Sequence, residues 1–331
     1  MYGDLVDRAN FEKNTISLNK ILGGEKQKEE INSCQSDVPQ SLASRNLFPL
    51  DEKKLPNNLI PQRKDNYRDI NILAGASVAI DADSGTILEY ADGRKQTQIA
   101  SLTKIMTAIL VAEKIENLDE SVTITKTALD VDGTTVGCPT SVFCNANRMY
   151  VGEKITVRNL LKAMLLNSAN DAATALAIHV ATTPENFVKL MNAKAKELGL
   201  KDTNFCTPSG LEIDGREAEC YSSAYDIARI ASYSLQYSLI WDIMKIEEEQ
   251  VYSTNGKYMH QLKNTDMLLR EMPNCLGGKT GFTPMAGKSL LTVAADPTRE
   301  HKIVSVILSD ENRWEDMKRL VDWVFANYEW K

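Results

Sequence analysis

Strand-forming sequence occurs near the two ends of the regular part of this chain, and the stretch between them reads as helix. Gly75–Asp81 and Gly85–Tyr90 are two short runs joined at Asp83-Ser84-Gly85, a hairpin signal. Three more strand-like runs cover 276–282, 287–295 and 302–309. Between these groups, 102–116 carries Ile105, Met106, Ile109, Leu110 and Ile115 at helical spacing. Segments 156–167 and 170–181 are apolar and helix-rich, with a polar break at Asn167-Ser168-Ala169-Asn170. A helix over 184–198 has Pro184 near its start and Gly199 just past its end, and others cover 222–236 and 312–328. The pattern predicts an α/β chain of the α+β kind: a largely antiparallel sheet built from both chain ends, flanking helices and a mostly helical middle.

Residues 1–66 differ from the rest. Stretches such as Gly23–Glu30 and Asp51–Asn58 are polar and charged without periodicity. Such a segment buries too little apolar surface to offset its ordering entropy, so 1–66 reads as a polar linker or loosely docked arm of disordered composition, and 67–331 as the regular, folded domain. No positive n-region followed by an apolar h-region is visible. The longest apolar run, Ile105–Ala112, is far short of the ~20 residues needed to span a bilayer. A net charge of −7 argues against a nucleic-acid partner, which needs a basic surface.

His179, His260 and His301 are scattered, no C-x-x-C occurs, and neither a metal nor another cofactor is expected. Cys138 and Cys144 lie six apart and Cys206 and Cys220 fourteen apart. Either pair can close a loop in an oxidising compartment, or the thiols stay free and buried.

Three short motifs carry chemistry. Ser101 and Lys104 form an S-x-x-K at the start of the 102–116 helix, where residues three apart share a face. A capping box wants Glu or Gln where Lys104 stands, and a cation there opposes the helix dipole. A lysine so placed and partly desolvated has a lowered pKa and, neutral, can take the serine's proton. Backbone N–H groups at the helix start suit an oxyanion. Ser168-Ala169-Asn170 lies in the break between two helices, offering a hydroxyl for proton relay and an amide to orient a carbonyl or Lys104. Lys279-Thr280-Gly281, preceded by Gly277-Gly278, puts a cation and a hydroxyl on a strand that an extended substrate can line. Gly278-Lys279-Thr280 is not a phosphate-binding loop, because the required earlier glycine is Pro273.

In this order, at separations of 67 and 111 residues, the motifs resemble the penicillin-recognising serine hydrolases with their S-x-x-K, S-x-N and K-T-G motifs. The flanks Ile99–Ala108, Leu165–Ala172 and Gly278–Gly287, and the segment Phe205–Leu211, are similar to low-molecular-mass penicillin-binding proteins, the serine-type D-alanyl-D-alanine carboxypeptidases. The resemblance covers about 70–330 and implies a β-lactamase/DD-peptidase-like fold. It implies Ser101 as nucleophile, Lys104 as general base and Ser168 as proton relay to the departing D-alanine. Asn170, Lys279, Thr280, Gly281 and Phe282 bind substrate, Lys279 and Thr280 through its terminal carboxylate. The N–H groups of Ser101 and Phe282 form the oxyanion hole. The implied partners are a peptidoglycan stem peptide ending in D-Ala-D-Ala and β-lactams, which acylate the same serine. The implied location is extracytoplasmic, in a periplasm or at the cell surface.

Three departures stand out. Ala169 replaces a common glycine, and 132–149 reads as an inserted loop at the site's rim. The sequence also ends at Lys331, so the expectation is a chain without the β-rich C-terminal domain and membrane-binding helix of many relatives, anchored, if at all, through its N-terminal side. The alternatives are a class A-like β-lactamase and a non-turnover penicillin- or wall-binding module. The first needs a glutamate in an E-x-x-L-N pattern between the second and third motifs; Glu185 is nearest by position and its neighbours do not fit.

Overall fold

A computed structural model describes residues 60–138 and 147–331. The arm expected over 1–66 therefore lies outside the described residues up to position 59, as do Cys144 and the rim segment 139–146. In chain order the elements are β1 Pro61–Arg63, β2 Ala76–Asp81, β3 Ile87–Ala91, a 3-10 turn Ala100–Thr103, α1 Lys104–Lys114, β4 Ser121–Thr123, α2 Lys126–Leu129 and β5 Lys154–Thr156. Then come α3 Val157–Leu166, α4 Asn170–Ala181, α5 Pro184–Glu197, α6 Ala224–Ser234, α7 Ser238–Met244, β6 Glu248–Tyr252, β7 Met259–Lys263 and α8 Leu268–Glu271. The chain closes with β8 Cys275–Thr283, β9 Gly287–Ala295, β10 Lys302–Leu308, α9 Arg313–Asn327 and β11 Tyr328–Trp330.

The main sheet has the order β3-β2-β10-β9-β8 with every neighbouring pair antiparallel. β2 from the start of the domain thus pairs with β10 from its end, as the sequence pattern predicts. The inner strands read as continuous apolar runs because both faces are covered. Val78, Ile80, Leu291, Val293, Val304 and Val306 join the helical core, whereas the alternating Ala79, Leu290, Ala294, Ile303 and Ile307 pack with Met317, Leu320, Val321 and Val324 of α9.

The helical layer centres on α4, whose Ala172, Ala173, Ala175 and Ala177 are buried. Small side chains let neighbouring helices approach its backbone closely, which fixes where its first residue, Asn170, emerges. Thr125, Thr156, Thr183 and Ser223 cap α2, α3, α5 and α6, each accepting from the N–H three residues on. Pro184 opens α5 and Gly199 follows it at φ +64, as its flanks predict.

Two features lie beyond the sequence reading. β1 pairs with β11, so the fold includes residues before the boundary expected at 67. Pro61-Gln62-Arg63 has no alternation to signal a strand, and its partner is at the far end of the chain. Tyr67 seals this corner edge-to-face against Trp323 and Tyr328, at 5.6 and 6.2 Å. The small pairs β4–β5 and β6–β7 were also not legible. β6 is largely polar and half-exposed, though Asn255-Gly256 in its loop, with Gly256 at φ +70, is a turn signal. Because Leu320 of α9 is fully buried in the cluster that packs on one face of the main sheet, Leu320→Ala is expected to cost about 2–5 kcal/mol, read from the denaturant midpoint of unfolding.

Candidate active site

Ser101 sits in the 3-10 turn that leads into α1. Ala100 before it has φ +47, a left-handed conformation uncommon for a residue with a side chain, and worth reading as strain held by surrounding packing. Ser101 does not cap a helix through its side chain. Instead Lys104, with no exposed surface, brings its Nζ to within 2.7 Å of Ser101 Oγ, 2.8 Å of Asn170 Oδ1 and 2.7 Å of the Ser209 carbonyl oxygen. The last two are pure acceptors and use two N–H bonds. Burial drives the Lys104 pKa well below the ordinary lysine value; Lys279 adds to this by like-charge repulsion and Asp171 opposes it. A neutral amine that donates to Asn170 and Ser209 has its lone pair left for the Ser101 hydroxyl.

The orientation of Asn170 is set from behind. Its Nδ2 donates to the Asp132 carbonyl at 2.7 Å and its backbone N–H to the Thr134 carbonyl at 2.7 Å. Asp171 accepts from Val136 N–H at 3.1 Å and from Ala172 N–H at 2.8 Å, and burial raises its pKa to about 6. The rim segment 132–138, the described start of the loop expected to be unusual, is thus strapped to the second motif.

The second network joins the other two motifs. Lys279 is buried, and its Nζ donates to Ser168 Oγ at 2.9 Å and to the Thr280 carbonyl at 3.0 Å. Burial pushes its pKa down to about 7; the Asp266 carboxylate pulls the other way, and Arg313 adds to the fall. Ser168 itself has φ +58. Thr280 Oγ1 lies 2.7 Å from Thr265 Oγ1. β8 is an edge strand, and Gly281 lets it press on the serine turn: a Cβ there would come within 2.9 Å of the Ile99 carbonyl oxygen. Arg313 of α9 holds the other side by donating to the Gly281 carbonyl at 2.9 Å. Phe282 is 57% exposed beside it.

All three motifs therefore converge: Ser101, Lys104 and Asn170 in one network, Ser168, Lys279 and Thr280 in the other, with Gly281 and Phe282 on the adjoining edge. Sequence reasoning missed the Ser209 carbonyl, Asp171, Asp266 and Arg313. Asp171 directly follows Asn170, and Ser209 lies within the Phe205–Leu211 segment already singled out, so a signal existed for both. A disulfide joins Cys206 to Cys220 around that segment, so this pair is not free. Cys138 is disulfide-bonded too.

A family model described as D-alanyl-D-alanine carboxypeptidase (peptidase S11) matches residues 62–312. The D-alanyl-D-alanine carboxypeptidase DacF of Bacillus subtilis is 33% identical over 262 residues, covering 77% of this chain and 63% of that protein. DacD of Escherichia coli is 31% identical over 266 residues, covering 78% and 64%. The chain thus spans just under two thirds of the length of these relatives. Among solved structures, the Streptomyces K15 DD-transpeptidase superposes with a TM-score of 0.69 at 27% identity, covering 78% of this chain and 99% of that one. A D-alanyl-D-alanine carboxypeptidase of Mycobacterium tuberculosis does so with a TM-score of 0.70 at 28% identity, covering 80% and 96%.

The electrostatics of Lys279 are open to direct measurement. Lysine-selective nitrogen NMR is expected to give it a titration midpoint near 7, and Asp266→Asn should lower that midpoint further by removing the carboxylate that favours the ammonium. A midpoint near 10.5 would contradict the burial argument.

Proposed function

The chain belongs to the D-alanyl-D-alanine carboxypeptidase family of serine peptidases, and from that premise we propose that it removes the terminal D-alanine from peptidoglycan stem peptides through an acyl-enzyme on Ser101. The observation that carries this reading is the buried Lys104 amine, supplied with two acceptors for its protons and one hydroxyl for its lone pair.

In this reading neutral Lys104 takes the Ser101 proton as Oγ attacks the carbonyl of the penultimate D-alanine. The N–H groups of Ser101 and Phe282 receive the developing oxyanion. Ser168 passes a proton to the departing amine, and its contact with Lys279 supports that relay. Asn170 positions the substrate amide. Lys279 and Thr280 hold the terminal carboxylate, which only a cationic Lys279 does well. Water then attacks the ester, with Lys104 again as base. A β-lactam acylates the same serine, but its leaving nitrogen stays tethered. The substrate chemistry puts the enzyme outside the cytoplasmic membrane, and the Cys206–Cys220 disulfide fits an oxidising compartment. No helix among the described residues is long and apolar enough to cross a membrane.

The test is intact mass after brief incubation with benzylpenicillin, beside Ser101→Ala. One adduct on the wild type and none on the variant is expected, followed by D-alanine release from a D-Ala-D-Ala peptide. Rapid loss of the drug without adduct would favour a β-lactamase, and intact drug without adduct a non-turnover module. The pH profile of kcat/KM for acylation should be bell-shaped. Rate rises as Lys104, with its lowered pKa, deprotonates, and falls as Lys279 loses its proton above about 7.

A further inference from the structure

The rim beside the second motif has two described ends. The first, 132–138, is held by Asn170 and Asp171. The second, 147–153, is held by His260 of β7, a residue the serine chemistry does not use. His260 Nδ1 lies 2.8 Å from the Asn147 carbonyl oxygen, and its Nε2 lies 2.8 Å from Glu153 Oε1. The His260 and Glu153 side chains are 2% and 0% exposed. Met149, between Asn147 and Glu153 in the chain, is buried in the helical core. The Glu153 carbonyl accepts from Ile124 N–H and the Ile124 carbonyl from Gly152 N–H, each at 2.8 Å.

These partners fix the protonation of the ring. A backbone carbonyl only accepts, so Nδ1 carries a proton. Nε2 faces a carboxylate oxygen, and the other oxygen of that carboxylate accepts from Tyr150 N–H at 3.3 Å. A neutral imidazole has one N–H and serves one of its two acceptors. With both served, the ring is an imidazolium paired with a carboxylate, and neither charge stands alone in the interior. The surrounding groups agree. Burial works against the cation, but Glu153, the Asn147 carbonyl and Asp171 of α4 outweigh it, and the His260 pKa is raised. Nearby, Arg148 favours the Asp171 carboxylate, and the Tyr150 and Tyr258 rings meet edge-to-face beside Glu153. On α3 and β6, Lys162 and Glu249 pair with each other at 2.5 Å.

We propose that His260 and Glu153 form a buried lock that positions the rim, and through it the Asn170 amide, and that this lock opens at alkaline pH. The lock is complete below the ordinary histidine midpoint of 6.5 and opens as pH rises through the raised one, because a deprotonated Nε2 turns its lone pair toward the carboxylate. One proton leaves for each lock opened, so opening grows about tenfold per pH unit beyond that midpoint. The consequence for acylation rests on the acyl-enzyme reading. A loosened rim releases the Asp132 carbonyl that orients Asn170, and Lys104 then loses an acceptor.

The experiment compares the wild type with Glu153→Gln, whose amide N–H donates to a neutral Nε2 and so keeps the contact without the charge. Ring-nitrogen NMR of the wild type, with His260 assigned by its loss in His260→Gln, is expected to give a midpoint above 6.5. A His260 already neutral at pH 6.5 overturns the lock. Amide exchange at Ile124 and Gly152, corrected for its intrinsic rise with pH, should gain the further tenfold per unit in the wild type and none in Glu153→Gln. Equal slopes in the two proteins overturn the lock as well. Acylation by benzylpenicillin should fall at high pH with a limb approaching two protons in the wild type, His260 and Lys279, and one in Glu153→Gln. A one-proton limb in both overturns the link to the site. Slopes are read within each protein, so they do not depend on how much of the variant folds. A wild type that is never acylated overturns the acyl-enzyme reading instead, and the NMR midpoint and exchange slopes still decide the lock.

Discussion

A lysine side chain with no exposed surface, bonded to a serine, an asparagine amide and a backbone carbonyl, is the interaction on which this structure turns. An isolated buried ammonium is costly, and a protein answers by shifting its pKa and supplying acceptors. Here the acceptors come from two places distant in sequence: the first residue of α4 and the loop after Phe205. The helical layer, whose alanines set the position of α4, and the loop closed by Cys206–Cys220 must both be in place before Lys104 has its partners.

The convergence depends on close backbone approaches. Gly210 lies against the Ala100 carbonyl and Gly281 against the Ile99 carbonyl, so the serine turn is clasped between a loop and an edge strand. Ala100 and Ser168 both carry side chains at positive φ, at the two places where hydroxyl groups enter the site. Such conformations persist where the surroundings over-determine them. Here Gly210 packs on Ala100, and Lys279 bonds to Ser168.

The rim contributes to the same end. The segment 132–149 reads in sequence as an inserted loop at the rim, and its described start, 132–138, sets which way the Asn170 amide points. With Nδ2 given to the Asp132 carbonyl, Oδ1 is left for Lys104. Asp171 clasps this segment through Val136 N–H, so the residue after the second motif has a structural task the motif does not advertise.

Much of this was legible in the residues. The strand pattern at both ends, the helical middle, the Pro184 and Gly199 punctuation and the three motifs with their spacing are local signals, and each reflects a preference that a residue carries into any context. What sequence could not decide were relations between distant residues: the β1–β11 pairing of two unremarkable tripeptides, the choice of Cys220 as partner of Cys206, the Ser209 carbonyl as an acceptor, and the balance of Asp266 and Arg313 around Lys279. Backbone carbonyls have no sequence signature, because every residue has one. A pKa depends on burial and on neighbours brought together only by folding. The sequence by itself determined which groups this protein brings to the site; the tertiary structure decided how they are charged and which way they face, because both depend on distances between elements that no local pattern encodes.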